Sequence, residues 1–273
     1  MNERILRLEA CHIAAAMRLS RAAGWNQTEA DWLRLLELEP QGCFGLFRDD
    51  LLVSTTTAFC YGRKLAWIGM VLTDPEFRGR GYARRLMEHA LGFVEARGVE
   101  WIKLDATAMG RPLYRKLGFE DEGPVERWAA IAPPVSGSDA GDYRPDPELD
   151  VRAFGADRSR LLAWLARGPA TALPGLGFAF ARPGSLAAYF GPCVARSAEA
   201  ARNLLEWFLE RHAGQTVFWD LLPANEAASV LAREFGFERR RELVRMVRRG
   251  AAAGSSFEHD DSMVYAIAGF EYG

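Results

Sequence analysis

A segment rich in glycine and arginine lies where a strand-like apolar run gives way to a helical pattern. The run Leu65–Leu72 is followed by TDPEFRGRGYA, residues 73–83, and apolar residues then recur at helical spacing. The first N–H groups of a helix lack intrahelical partners, the helix dipole is positive at that end, and glycine lets a ligand approach the backbone. Arginines at that end of a helix are unfavourable for stability, because their positive charge opposes the dipole. Their presence is explained if an anion binds there. The segment therefore predicts a phosphate-binding loop.

This segment has two other interpretations. Glycines and arginines also suit a turn on a solvated basic helix, and residue types alone leave that interpretation open. A dinucleotide-binding loop is disfavoured, because no G-x-G-x-x-G follows the strand and no acidic residue stands in the expected ribose position.

Two motifs carry a resemblance to a known family. Arg78, Gly81 and Ala83 occupy the fixed places of an Arg/Gln-x-x-Gly-x-Gly/Ala pattern, and the segment thereby resembles the acyl-CoA pyrophosphate loop of the GCN5-related N-acetyltransferase (GNAT) superfamily. LYRKLGF, residues 113–119, resembles the Leu-Tyr-x-Lys-x-Gly-Phe signature of the same superfamily. The sequence departs from the family at Thr107, where Asn is frequent, and at Gly110, where Ala is frequent.

The resemblance implies an acetyltransferase that uses acetyl-CoA as its acyl donor and needs no metal. Tyr114 takes the position of the family tyrosine that protonates the departing CoA thiolate, with an ordinary half-buried tyrosine as the alternative. Asp105, at the end of a strand, is a candidate base for the amine, and a carboxylate that caps the next helix is the alternative. The implied donor-binding residues are Met70, Val71, Leu72, Thr73, Arg78, Gly79, Arg80, Gly81, Tyr82, Ala83, Thr107 and Tyr114.

Trp25, Asn26 and Gln27 lie in the first interhelical connection, which in the family often lines the acceptor site. They are the candidate acceptor-binding residues. The implied reaction is direct attack by a primary amine on the thioester, with a small molecule as the expected acceptor. Two alternatives stay open: an acyl-CoA-binding regulatory module without turnover, and an enzyme that acetylates a protein or peptide amine.

Strands that alternate with helices must position these residues, and that alternation predicts an α/β fold with a mixed sheet. Thr28 and Asp31 have the spacing of a capping box at a helix start. Apolar patterns predict helices over Ile13–Ala23, 83–94 and Arg111–Leu117, a hairpin of Cys43–Phe47 with Leu51–Cys60, and strands over Leu65–Leu72, Trp101–Ala106, Trp128–Ile131 and Met263–Ala268. The last of these strands is expected to complete a sheet edge.

A composition break divides the chain into two halves. Residues 132–150, APPVSGSDAGDYRPDPELD, predict a linker between a GNAT domain at 1–131 and a second half at 151–273. The second half repeats the first weakly, since Phe190-Gly191-Pro192 aligns with Ile68-Gly69-Met70 and Gly236-Phe237 with Gly118-Phe119. Four residues of the phosphate loop are missing from it, and Tyr114 falls on Ala232. We therefore expect a degenerate GNAT-like half that shapes the acceptor pocket and does not use acyl-CoA.

Composition limits the partners. Lys+Arg number 34 against 36 Asp+Glu, a net charge of −2, so neither nucleic acid nor an anionic membrane is an expected partner. Four scattered cysteines without C-x-x-C spacing predict neither zinc nor a disulfide scaffold. The N-terminus lacks a signal-peptide pattern and no apolar run approaches a membrane span, so the expected location is the cytoplasm. The sequence leaves the oligomeric state open, a homodimer included.

Overall fold

The computed structural model describes residues 2–254 and 256–273. The first half forms β1 (Glu3–Arg7), α1 (Ile13–Ala22), α2 (Glu29–Leu38), β2 (Cys43–Arg48), β3 (Leu51–Tyr61), β4 (Leu65–Thr73), α3 (Tyr82–Ala96), β5 (Trp101–Ala106), α4 (Arg111–Lys116) and β6 (Glu120–Ile131). The second half forms β7 (Gly141–Asp142), α5 (Pro147–Phe154), α6 (Ser159–Leu165), β8 (Ala170–Leu173), β9 (Gly177–Arg182), β10 (Ala188–Ala195), α7 (Ala198–His212), β11 (Thr216–Leu221), α8 (Glu226–Glu234), β12 (Glu238–Arg249) and β13 (Val264–Ala266).

The helix and strand predictions for the first half are confirmed, with ends that differ by a residue or two. The capping box is present at the start of α2, where the Thr28 N–H donates to an Asp31 carboxylate oxygen at 2.7 Å and the Thr28 side chain accepts from the third helical N–H. One strand is longer than predicted, because β6 begins at Glu120 rather than at Trp128. The predicted linker, residues 132–150, contains β7 and the first turn of α5.

The described strands belong to one sheet, and the two halves exchange strands β6 and β12. The order is β1-β2-β3-β4-β5-β12-β6-β11-β10-β9-β8-β7. Strand β12 of the second half pairs antiparallel with both β5 and β6, while β6 of the first half pairs antiparallel with β11. Each half therefore completes the sheet of the other.

The exchange places two equivalent ion pairs in the middle of the sheet. Arg245 of β12 donates to both carboxylate oxygens of Asp105 at 2.9 and 3.2 Å. Arg127 of β6 does the same to Asp220 of β11 at 2.7 and 2.6 Å. Both carboxylates are fully buried, so removing one arginine would leave an uncompensated buried charge.

A bulge interrupts the corresponding strand in each half. In β4 two residues, Met70 and Val71, oppose the single residue Thr56 of β3, and Met70 has a φ of 49°. In β10 Gly191 and Pro192 oppose Phe180 of β9 in the same way. Bulges bend a strand and re-aim its backbone, and they are frequent beside active sites. The alignment drawn from the sequence finds this shared feature one residue out of register, because it matches Met70 with Pro192 and the bulges match Met70 with Gly191.

The pairing of the central parallel strands ends before these bulges. Strand β4 pairs with β5 only from Leu65 to Trp67, and β10 pairs with β11 only from Ala188 to Phe190. In the second half, β13 occupies the resulting gap: it pairs with β10, and the Ile267 N–H donates to the Asp220 carbonyl of β11 at 3.0 Å. The expectation that this segment completes a sheet edge is wrong, because these strands offer unpaired backbone groups inside the sheet.

Apolar residues pack on both faces of the sheet. Helix α3 covers one cluster of the first half, and α7 with α8 covers one of the second. A third cluster runs from α1 and α2 of the first half to α5 and α6 of the second, so the halves share a core. Among the described helices, none has the length and apolar character to cross a membrane.

Candidate active site

An open cleft of about 720 Å³ lies between β4, the start of α3 and the segment that leads into α4; we call it the donor cleft. Most of the residues implied as donor-binding line it: Val71, Leu72, Thr73, Arg78, Gly79, Gly81, Tyr82, Ala83, Thr107 and Tyr114. Met70 lines a neighbouring cavity instead. Arg80 lines neither; its guanidinium lies over the Phe77 ring and contacts the Glu76 carbonyl at 3.5 Å. The structure thus brings all but these two together along one cleft.

The loop before α3 has the backbone shape of an anion site. Gly79 and Gly81 have φ values of 76° and 78°, in the left-handed region that favours glycine, and a Cβ at either position would point into open space. Gly81 is the N-cap of α3, and no side chain caps this helix. Its first N–H groups are therefore available to a ligand. Arg78 and Arg80 are exposed, and within the described chain neither forms a salt bridge.

A smaller cavity of about 60 Å³ lies behind the donor cleft; we call it the inner cavity. One buried water needs roughly 10–15 Å³ of such space, so the cavity admits a group of a few non-hydrogen atoms. Both cavities share the lining residues Trp25, Val71, Thr107, Tyr114 and Arg241. A donor in the cleft and an acceptor in the inner cavity would therefore meet at Val71 and Tyr114.

Tyr114 is buried at this junction, and no described residue forms a hydrogen bond with its hydroxyl. Burial raises its pKa well above the usual value, so the hydroxyl keeps its proton at neutral and mildly alkaline pH. The two departures from the family motif lie against it. A side chain at Gly110 would come within 2.8 Å of the Tyr114 ring, and the Thr107 hydroxyl accepts the Gly110 N–H at 3.1 Å.

Asp105 lines the inner cavity, but both of its carboxylate oxygens bind Arg245. Burial raises its pKa, and the charge of Arg245 opposes that rise. It does not cap the next helix: the N-cap of α4 is Gly110, with no side-chain hydrogen bond. The role of general base stays a prediction.

The three candidate acceptor-binding residues are placed differently. Trp25 and Gln27 line the inner cavity, and Asn26 does not. The Asn26 side chain donates to the Ala187 carbonyl and accepts the N–H groups of Leu186 and Ala187 at 2.9–3.0 Å, which ties the interhelical connection to the second half. Gln27 donates to Glu271 at 3.0 Å, and its carbonyl oxygen Oε1 is buried with no partner in the described structure.

The end of the chain supplies a wall that the sequence motifs did not reveal. Phe270 and Glu271 line the inner cavity. The Phe270 carbonyl accepts the Trp67 indole N–H at 3.1 Å, and the Tyr272 carbonyl accepts the Tyr61 hydroxyl at 2.7 Å. These bonds hold residues 270–272 against β3 and β4. The contacts span about 200 positions, so no local pattern could have identified them.

Glu271 also belongs to a buried charged cluster. Its carboxylate lies 3.4 Å from Arg182, which contacts Asp31 at 3.2 Å, and Asp31 binds Arg34 at 2.8 Å. Burial raises the pKa of Glu271, although the charge of Arg182 opposes the rise. The cluster links α2, β9 and the chain end beside the cavity. No group of three or more His, Cys, Asp or Glu side chains suited to a metal occurs in residues 2–254 and 256–273.

Comparison with known proteins gives the same family for both halves. The sequence model described as the acetyltransferase (GNAT) family matches residues 12–119, and one described as an acetyltransferase (GNAT) domain matches residues 147–266. A relative from Bacillus subtilis (strain 168), the uncharacterised N-acetyltransferase YitH, is 30% identical over 223 residues, which are 74% of this chain and 77% of that protein.

Solved structures extend the likeness to the whole chain. A crystal structure from Pyrococcus horikoshii, described as a proposed acetyltransferase, has a TM-score of 0.87 at 25% identity and covers 99% of this chain and 96% of its own. A tandem GNAT protein from the clavulanic acid biosynthesis pathway has a TM-score of 0.63 at 14% identity and covers 93% of this chain and all of its own, a likeness of fold. The chain belongs to the GNAT acetyltransferase family and consists of two GNAT-like halves.

Proposed function

We propose that the protein is an acetyl-CoA-dependent N-acetyltransferase that transfers the acetyl group to a primary amine of a small molecule by direct attack. The observation that carries this proposal is the junction at Val71 and Tyr114, where the donor cleft opens into the inner cavity. Direct transfer requires two sites that meet at one point, because holding the amine against the thioester supplies much of the rate acceleration.

The donor cleft suits acetyl-CoA at both of its ends. The uncapped N-terminus of α3, with Gly79 and Gly81, would bind the pyrophosphate through backbone N–H groups. The gap between β4 and β5 would take the pantetheine, since neither strand satisfies the other beyond Trp67. Main-chain groups at the Met70–Val71 bulge lie at the inner end of this gap. An amide N–H there would stabilise the developing oxyanion of the thioester.

The chemistry needs three proton transfers. The neutral amine attacks the carbonyl carbon, the carbon–sulfur bond then breaks, and the sulfur leaves as a thiolate. Tyr114 would donate its proton to that thiolate, and its raised pKa keeps the proton in place until the transfer. The attacking nitrogen loses a further proton as it becomes the amide, and that proton returns the Tyr114 phenolate to its neutral form. The ammonium loses its proton before attack, to a base or to water. The carboxylate of Asp105 is bound by Arg245, so it would accept the proton of the ammonium only through an intervening group such as water.

The enclosure of the inner cavity supports a small acceptor. Phe270 and Glu271 form part of its wall, and about 60 Å³ remains. An extended peptide needs an open groove rather than a pocket of this size.

A thiol-release assay tests the function. The full-length protein is mixed with acetyl-CoA and a panel of amino acids, polyamines, aminoglycosides and peptides, and free CoA is detected with a thiol reagent. We expect release that depends on one class of small amine and exceeds the hydrolysis without an amine. Tight acetyl-CoA binding by calorimetry with no release for any amine would contradict the proposal and favour a binding module.

A further inference from the structure

Arg241 is a cation without a counter-ion at the point where the two cavities meet. It lies on β12, opposite Arg127 of β6, and it lines both the donor cleft and the inner cavity. Its side chain is half-buried. No carboxylate and no hydrogen-bond acceptor of the described chain binds its guanidinium.

Neighbouring arginines show how unusual this is. Four others on β12 each bind a carboxylate: Arg239 binds Glu126, Arg240 binds Glu238, Arg245 binds Asp105 and Arg248 binds Glu95. Arg127, which lies opposite Arg241 on the neighbouring strand, forms a salt bridge with Asp220. The protein therefore neutralises these arginines itself and leaves Arg241 to face the site.

The surroundings of Arg241 favour an anion. Burial lowers the pKa of its guanidinium, and the positive charge of Arg127 lowers it further against the attraction of Asp220. A partly desolvated cation next to a second cation gains from an anionic ligand. The planar fork of a guanidinium matches a carboxylate, which it binds with two parallel hydrogen bonds.

The inner cavity also presents acceptors for a cation. The buried Oε1 of Gln27 has no partner in the described structure, and the Glu271 carboxylate lines the same cavity. An ammonium group would satisfy both, whereas a second carboxylate would be repelled by Glu271. The cavity thus offers acceptors on one part of its wall and the free guanidinium at its mouth.

We propose that Arg241 binds a carboxylate of the acceptor, so that the acceptor is a small amine that also carries a carboxylate, as an amino acid does. This inference rests on the proposed acetyl transfer and names the substrate class of that site. Gln27 and Glu271 would hold the amine end, and Arg241 would fix the carboxylate end. A dicarboxylic acyl group on the donor is the other source of a carboxylate at this junction.

Matched substrates and variants test the proposal. Initial rates are measured with acetyl-CoA and pairs of amino acids and their carboxamides, for the wild-type protein, Arg241→Gln and Arg241→Lys. We expect the wild-type kcat/KM to favour the acid over the amide by roughly tenfold to a hundredfold, as hydrogen bonds to charged groups contribute. Arg241→Gln should remove the preference mainly by raising KM for the acid, and Arg241→Lys should restore part of it. Calorimetry should give an unchanged affinity for acetyl-CoA.

Arg240→Gln is the matched control, because Arg240 is exposed on the same strand and pairs with Glu238. It should keep the wild-type preference. Equal turnover of acids and amides, or a preference that survives Arg241→Gln, would overturn the inference and leave acetyl transfer intact. A preference for succinyl-CoA over acetyl-CoA that only Arg241→Gln removes would assign the carboxylate to the donor and likewise overturn it. No turnover of any amine would refute the proposed function instead.

Discussion

At the scale of single residues, we expect Gly81 to be a position where a substitution removes donor binding and leaves the core unchanged. Its added side chain would point into open space, at the uncapped start of α3. We expect Gly81→Glu to abolish acetyl-CoA binding, because a carboxylate there would repel the pyrophosphate. Isothermal titration calorimetry measures the loss.

Gly214→Glu is a matched control for this change. Gly214 has a φ of 77°, close to the 78° of Gly81, and its Cβ would also meet nothing within 4 Å. Both variants carry the same backbone strain, of about 1 kcal/mol or more, and the same added charge. Only Gly81→Glu should lose affinity. Unchanged affinity in Gly81→Glu would mean that the phosphates bind elsewhere.

The proposed role of Tyr114 is in turnover rather than in acetyl-CoA binding. We expect Tyr114→Phe to lower kcat by roughly a hundredfold or more, as the loss of a general acid does, and to change acetyl-CoA affinity little. Because burial raises the pKa of Tyr114, the wild-type rate should show no loss from this group up to its ordinary pKa of about 10. Rate profiles between neutral and alkaline pH, with calorimetry alongside, check both points. Full activity of the variant across that pH range would mean that Tyr114 serves only in packing.

Single residues also show what the sequence alone could predict. The donor cleft was predictable because the strand end, the loop and the helix start are neighbours in the chain. Their glycines and arginines are residue types that indicate an anion site. Asp105 and Asn26 were identifiable as polar residues near a strand end and in a connection. Their partners, Arg245 and Ala187, lie 140 and 161 positions away, and no periodicity encodes such contacts. Arg241 and Glu271 were not predicted as site residues either, because only long-range contacts bring them to the site.

At the scale of elements, β13 supports the prediction that the second half does not bind a donor. It occupies the gap between β10 and β11 that corresponds to the gap between β4 and β5, where we propose that the pantetheine binds. The helix beyond also differs: the Ser197 side chain caps α7 by accepting the Ala200 N–H at 3.2 Å, and Glu199 stands in its first turn. A capped helix start beside a carboxylate repels a pyrophosphate where the start of α3 would attract one.

The expected stoichiometry is therefore one acetyl-CoA per chain, although the chain has two GNAT-like halves. Calorimetry with full-length protein of known active concentration measures this number directly. Two equivalent sites per chain would contradict the role assigned to β13.

The first part of strand β6 was not predicted from the sequence. Its first residues, EDEGPVER, are charged and contain a proline, which is typical of a loop or an edge strand. In the sheet these charges have partners on the side of β6 that β12 occupies: Glu126 binds Arg239 of β12, and Glu122 binds Lys103 of β5, the strand beyond β12. Since the partner strand β12 comes from the other half, its arginines could not be matched to β6 from the sequence.

At the scale of the whole molecule, the strand exchange makes each half depend on the other. Both sheet neighbours of β6, β11 and β12, belong to the second half, and so does the sheet neighbour of β5 on the side away from β4. The cluster shared by α1, α2, α5 and α6 adds apolar surface that only the complete chain buries. The inner cavity likewise takes Arg241, Phe270 and Glu271 from the second half.

A chain that ends at residue 131 should therefore be insoluble or inactive. It would expose the shared apolar surface, leave β6 without either partner and lose a wall of the inner cavity. Expression of residues 1–131 alone, with solubility and thiol release as readouts, tests this expectation. Co-expression with residues 132–273 is the control, because the exchanged strands should bring the pieces together, and the pair should co-purify and regain activity. A soluble 1–131 fragment with the substrate range of the full chain would show that the second half is merely attached. An isolated second half that binds CoA would contradict the prediction that this half is degenerate.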